Sequence, residues 1–88
     1  MRDIIRTIQF KRDVKRAEKR GKDMAKLRDL ILLLAGETPL PVRYRDHPLS
    51  GEWKHHRDCH IEPDWLLLYK IDDYELYLVR TGSHVDLF

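Results

Sequence analysis

Hydrophobic and polar positions recur with a helical period over much of the first 36 residues of this chain. The apolar positions at that spacing are Phe10, Val14 and Ala17 in one segment and Met24, Leu27, Ile31 and Leu34 in the next. Gly21 follows two cations, as expected after a helix C-terminus. Asp23 can cap the second helix, and Gly36 ends it. The pattern predicts two helices joined by a short turn, which should pack as an antiparallel hairpin.

Strand-like runs occur at residues 4–8, 53–61, 65–71 and 74–81. Residues 62–64 and 72–73 form the turns between the last three runs, and connections this short force antiparallel pairing. The predicted order is therefore β-α-α-β-β-β in a single α+β domain spanning residues 1–88. We expect a small antiparallel sheet with the helical hairpin packed on one face, so that the other face or an edge is left for a site.

The segment 36–52 shows neither the helical nor the strand period of apolar positions. Pro39, Pro41, Pro48 and Gly51 exclude a long regular element there. A loop of this length inside a compact domain is usually functional. We therefore expect this loop to contribute to the site.

Charge is divided unevenly between the two halves. Residues 1–30 carry eleven Lys and Arg against five acids, a net charge of +6, and residues 31–88 carry six against ten, a net charge of −4. The pairs Lys11-Arg12, Lys15-Arg16 and Lys19-Arg20 recur every four residues and line one helix face. Such a face is most often simply solvated, but it also suits the phosphate backbone of RNA.

Composition also indicates where the protein works. The longest apolar run, residues 30–35, is far too short to span a bilayer, and the N-terminus lacks the apolar core of a signal peptide. A single cysteine, Cys59, cannot form an internal disulfide, which fits the reducing cytosol. We therefore expect a cytoplasmic protein with no membrane partner.

All five histidines lie between residues 47 and 84, and histidine is the side chain that exchanges protons near neutral pH. Strand alternation over 53–61 would put Trp53, His55, Arg57, Cys59 and Ile61 on one face and Lys54, His56, Asp58 and His60 on the other. A polar stripe is usually a solvated face, but two histidines with an aspartate are an unusual composition for one. The stripe therefore favours acid–base chemistry.

A zinc site and a cysteine nucleophile fit these residues less well than acid–base cleavage of RNA does. His56 and His60 would lie about 13 Å apart on a strand, too far to share one zinc ion. Cys59 should face the apolar side, where a free cysteine is usually packing. RNA cleavage by the 2′-OH next to the scissile phosphate needs no protein nucleophile and no metal, only an acid, a base and cations. Trp65 and Phe88 could stack on a base, although a core position and a frayed terminus are equally good readings.

Taken in order, the motifs identify a family. The chain resembles the YafQ branch of the RelE/ParE toxin superfamily over essentially its whole length. The matching stretches are Phe10-x-x-Asp13-Val14-Lys15, Lys19-Arg20-Gly21-Lys22-Asp23, Asp46-His47-Pro48-Leu49-x-Gly51-x-Trp53, Arg57-Asp58-x-His60-x-x-Pro63-Asp64-Trp65, Tyr69-Lys70 and Arg80-Thr81-Gly82-x-His84-x-x-x-Phe88.

The resemblance implies a bacterial type II toxin with a RelE-like fold, an endoribonuclease that cleaves mRNA in the ribosomal A site. A cognate antitoxin would neutralise it, and operator DNA would be bound only through that complex. The catalytic positions implied are His47, His60, Asp64 and His84. The expected substrate-binding residues are Lys54, Arg57, Asp58, Trp65, Arg80 and Phe88, with no metal and no cofactor. Histidine at positions 55 and 56 departs from the family pattern.

Two alternatives from other classes stay open at this point. A ParE-like toxin would inhibit DNA gyrase by binding alone, although a pure binder has no need for several titrating groups. A plain RNA- or protein-binding module would make the histidines incidental. Whether the basic helix meets ribosomal RNA or the antitoxin is equally open.

Overall fold

The computed structural model describes residues 1–36 and 38–88, and its helices begin where the sequence supplies capping side chains. Thr7 accepts a hydrogen bond from the Phe10 amide at the start of α1 (Ile8–Lys19), and Asp23 does the same for the Ala25 amide at the start of α2 (Met24–Ala35). The strands are β1 (Asp3–Arg6), β2 (His47–Pro48), β3 (Arg57–Glu62), β4 (Trp65–Ile71) and β5 (Glu75–Gly82), followed by a short helix α3 (His84–Leu87). Single 3₁₀ turns lie at Val42–Tyr44 and Gly51–Trp53.

The strands form one sheet in the order β1-β5-β4-β3-β2. The hairpins β3–β4 and β4–β5 are antiparallel, as the short turns predicted, and β2 also pairs antiparallel to β3. The expectation of a wholly antiparallel sheet is wrong at one edge, because β1 runs parallel to β5. No hairpin joins these two strands, so turn length could not fix their direction. Thr7 ends β1 by capping α1, which shortens the predicted 4–8 strand.

The predicted 53–61 strand is also corrected, because extended structure begins at Arg57. Gly51 and His55 have φ values of 65° and 72°, in the left-handed region, so the chain turns here instead of continuing straight. The two-residue strand β2 and the helix α3 were not predicted from the periodicity. A stripe running from Lys54 to His60 therefore does not exist, and only Asp58 and His60 share a strand face.

The two faces of β4 bury different clusters. Leu67 and Tyr69 join the main core, which holds the buried side of both helices, including Phe10 and Leu30. Leu66 and Leu68 point the other way, where Leu87 of α3 covers them together with Leu49 and Trp53. The helices therefore cover one face as predicted, and the opposite face carries only this smaller apolar cluster. No helix in the described ranges is long and apolar enough to cross a membrane.

Candidate active site

Three histidines converge on the sheet face that the two long helices leave open. The register of β2 on β3 sets His47 opposite Asp58, and strand alternation puts His60 on the same side. The imidazole centroids of His47 and His60 are 6.3 Å apart, and those of His60 and His84 are 5.7 Å apart. Each histidine comes from a different element: His47 from β2, His60 from β3 and His84 from α3. The His60 ring is a neighbour of both other rings.

His84 is held by the turn between β3 and β4. Asp64 accepts hydrogen bonds from the His84 backbone amide at 2.9 Å and from its ring Nδ1 at 2.6 Å. These two bonds lower the pKa of Asp64, which keeps it a carboxylate near neutral pH. With Nδ1 bound to Asp64, the Nε2 atom of His84 is the nitrogen left for a substrate.

Asp58 is the buried charge of the site, with 4% of its surface exposed. Burial raises its pKa, and the neighbouring imidazoles of His47, His60 and His84 act in the opposite direction. Its Oδ1 lies 3.1 Å from His47 Nδ1 yet has no hydrogen-bond donor among residues 1–36 and 38–88. His47 Nδ1 is nearer to the Arg45 carbonyl oxygen, at 2.8 Å, and because a carbonyl can only accept, this contact requires the hydrogen on Nδ1. His47 and Asp58 are therefore in close contact without a hydrogen bond between them.

The same residues include a possible metal site. Ligand atoms of His47, Asp58 and His60 all lie within 4.8 Å of one another. Two imidazoles and a carboxylate suit first-row divalent ions. The distance argument against zinc applied to His56 and His60 on one strand. It does not apply to this trio, in which His47 takes the place of His56.

Three of the predicted substrate-binding residues lie away from the histidines. Arg57 points to the opposite face of β3, where Asp46 binds its guanidinium at 3.2 and 3.1 Å. Arg80 is bound by the buried Asp13. Trp65 is only 1% exposed and donates to Thr81 Oγ1, so the expected stacking on a base is corrected to a core role.

The remaining candidates differ in exposure. Lys54 is exposed in the turn before β3, and Phe88 is 59% exposed beside α3. His56 packs edge-on against Trp53, with ring centroids 5.3 Å apart. Trp53 itself belongs to the small cluster under α3, on the face opposite to the one predicted for it. Of the two aromatic residues predicted to stack on a base, Phe88 is therefore the one whose ring is exposed, and it follows His84 by four residues.

Sequence reasoning missed the role of Asp46. Its carboxylate accepts from Arg57 and from the Tyr69 hydroxyl, and Cys59 Sγ lies 3.7 Å away. The available signal was its place beside His47 in a long polar loop, but no periodicity connects residues 46 and 69.

Comparisons with known proteins identify the family of the chain. A family model described as "Bacterial toxin of type II toxin-antitoxin system, YafQ" matches residues 2–88. The chain belongs to the YafQ toxin family. Its fold is accordingly that of a YafQ toxin, with the α+β architecture expected from the sequence.

The chain is similar to individual known proteins over nearly its whole length. The mRNA interferase toxin YafQ of Escherichia coli K12 is 54% identical over 99% of this chain and 96% of its own. The structure of the E. coli DinJ–YafQ complex gives a TM-score of 0.93 at 53% identity, covering 100% of this chain and 99% of that one. A metal-bound toxin from Helicobacter pylori gives a TM-score of 0.93 at 43% identity, covering both chains completely.

Proposed function

We propose that this YafQ-family toxin cleaves mRNA on the ribosome by metal-independent acid–base catalysis. Membership of the family and its similarity to mRNA interferases make the chain an endoribonuclease of a type II toxin–antitoxin system. The observation that carries the mechanism is the row of three imidazoles, with the outer His84 fixed by Asp64. The reaction transfers a proton at each end of one phosphate, which is work that adjacent imidazoles can share.

In the proposed reaction the 2′-oxygen bonds to the neighbouring phosphorus while the bond from phosphorus to the 5′-oxygen breaks. One of His60 and His84 accepts the 2′-OH proton, and the other, or His47, donates a proton to the leaving 5′-oxygen. The products are a 2′,3′-cyclic phosphate and a 5′-hydroxyl. The His60 and His84 rings are close neighbours, with centroids 5.7 Å apart, so both imidazoles can reach one phosphate placed beside them.

Asp64 acts on His84 in this scheme, and Asp58 acts on the histidine cluster as a whole. Because Asp64 stays ionised and holds Nδ1, it fixes which nitrogen of His84 faces the RNA. Asp58 lies buried beside the imidazoles and interacts electrostatically with all three. Exposed Lys54 and the Phe88 ring are candidates for binding the phosphate and stacking on a base.

The partners follow from the same proposal. The E. coli relative crystallised with DinJ, and a cognate antitoxin of this kind would bind and neutralise the present chain. Ribosomal RNA and mRNA would be the partners of the free toxin in the cytosol.

The test replaces His60, His84 and Asp64 singly by alanine and measures mRNA cleavage on ribosomes, with Glu52→Gln as a surface control. We expect losses of about 100-fold or more for each histidine and a smaller loss for Asp64→Ala. A substrate with sulfur in place of the scissile 5′-oxygen needs no general acid. It should therefore rescue only the variant that lacks the acid. Unchanged cleavage in all three variants contradicts the site assignment.

The same assay decides the metal question. Metal-independent cleavage predicts full activity after dialysis against a chelator. Loss of cleavage that added Cu²⁺ or Zn²⁺ restores would instead assign the trio His47, Asp58 and His60 to a catalytic metal.

A further inference from the structure

His47 reaches the site from a loop that few backbone hydrogen bonds tie to the sheet. β2 contributes two residue pairs with β3, His47 with Asp58 and Pro48 with Arg57. Leu49 adds one backbone hydrogen bond, to the His56 carbonyl at 2.9 Å. A two-residue strand at a sheet edge is a weak support for a side chain that must keep its place.

The residue before His47 supplies a much stronger attachment, on the other side of the sheet. The Asp46 carboxylate accepts hydrogen bonds from both Nε and Nη2 of Arg57 and from the hydroxyl of the buried Tyr69. Burial and Asp46 raise the pKa of Tyr69, so its phenol stays a donor at every working pH. The bound carboxylate raises the pKa of Arg57 as well. Asp46 is thus tied to two neighbouring strands, β3 and β4.

The backbone between this anchor and the site is turned in a specific way. Arg45 has a φ of 48°, a left-handed conformation that is unusual for a residue with a side chain. That conformation brings its carbonyl oxygen to 2.8 Å from His47 Nδ1. A carbonyl can only accept, so Nδ1 carries the hydrogen and Nε2 is left as the nitrogen that can bind RNA.

We propose that Asp46 is a positioning residue for His47: by binding Arg57 and Tyr69 behind the sheet, it holds residues 45–47 so that the Arg45 carbonyl fixes the His47 ring and its tautomer. Asp46 itself does not touch the substrate. Its effect on catalysis depends on the proposed acid–base function, whereas its effect on the His47 ring does not.

The experiment combines ring NMR with kinetics on the full-length toxin in chelator-treated buffer. Nitrogen-15 spectra of the imidazoles report the tautomer of each histidine, and His60 and His84 serve as internal references. Asp46→Ala and Tyr69→Phe remove the anchor in two ways, Asp46→Asn retains one acceptor oxygen, and Glu52→Gln is the matched control in the same loop.

We expect Asp46→Ala to shift His47 from a single Nδ1–H form to a mixture, while the His84 signals stay as in the parent because Asp64 still holds that ring. Cleavage should fall about 10- to 100-fold in kcat with little change in KM, the size of effect that a displacement near 1 Å produces. Asp46→Asn should recover part of both readouts, and Tyr69→Phe should show the same pattern more weakly.

Other outcomes overturn the proposal. His47 signals identical to the parent in both Asp46→Ala and Tyr69→Phe would show that the loop holds the ring without this anchor. Equal changes at all three histidines would show a general loss of structure. A toxin whose parent form cleaves no RNA would reject the proposed function, and the NMR comparison would still decide the role of Asp46.

Discussion

Asp13 shows how one buried carboxylate can complete a sheet edge. β1 pairs with β5 only from Glu75 to Leu78, and beyond that point none of the strands formed by the described residues covers this edge. The Asp13 side chain, which is 1% exposed, occupies the gap and accepts from the Thr81 amide at 3.1 Å and from Arg80 Nε at 2.8 Å. Because a buried amide without an acceptor is costly, this single side chain supports the strand that leads to His84.

Asp13→Ala should therefore be strongly destabilising. It leaves a buried amide unpaired and the Arg80 guanidinium without its partner, so we expect a loss of roughly 3 kcal/mol in the free energy of unfolding. Asp13→Asn keeps one acceptor and should lose less. Urea denaturation monitored by tryptophan fluorescence measures both, with Asp3→Ala on exposed β1 as the control, expected within about 0.5 kcal/mol of the parent. A loss below about 1 kcal/mol for Asp13→Ala contradicts this account.

At the scale of elements, α3 is too short to be stable alone and depends on what surrounds it. Ser83 and Asp86 form a reciprocal capping box, and Arg20 of the α1 C-cap binds the same Asp86 carboxylate at 2.6 Å. Leu87 anchors the helix on the small apolar cluster. A Cβ on residue 82 would lie 2.9 Å from the Asp86 Cβ, so glycine at this position permits the close approach. These contacts fix the helix from which His84 enters the site.

The capping contacts predict a pH dependence. The Arg20 side chain and the Ser83 amide hold the pKa of Asp86 far below its usual range. A carboxyl group with a depressed pKa in the folded state adds stability above its unfolded pKa, near 3.9, and loses it as the pH falls toward the folded value. The difference in Tm between the parent and Asp86→Asn should thus be present at pH 7 and shrink below about pH 4. A scan of thermal unfolding from pH 7 to pH 2 measures it, with Asp73→Asn as the control. A constant difference across that range would contradict the assignment.

For the whole molecule, the sequence predicted what local periodicity and turn length can determine. The helical stripes of Phe10 and Leu27, the two hairpins and the helix-covered face are all confirmed. The direction of β1, the strand β2 and the anchoring role of Asp46 were missed, because each depends on contacts between distant residues. The convergence of His47, His60 and His84 came from resemblance to the family, since spacing alone favoured His56, which the left-handed turn at His55 removes from the strand.

Charge is the remaining property that belongs to the molecule as a whole. Lys11, Lys15 and Lys19 are exposed on α1, and within the described residues none of them makes an ion pair. A separate cleft of about 310 Å³ lies at the end of this helix and reaches Asp64 and Ser83 beside the site, but its cations Arg16, Arg20 and Lys22 are already paired with acidic side chains. This exposed row of lysines on α1 suits a phosphate backbone.

Replacing Lys11, Lys15 and Lys19 together by glutamine should leave unfolding unchanged and weaken ribosome binding in a salt-dependent way. Each lost phosphate contact lowers the slope of log affinity against log salt by about 0.7 for single strands, so three contacts lower it by about 2. Binding is measured from low to physiological salt, with Lys70→Gln, at an exposed lysine near the end of β4, as the control and the antitoxin as a second partner. An unchanged slope on ribosomes together with weaker antitoxin binding would assign the basic helix to the antitoxin instead.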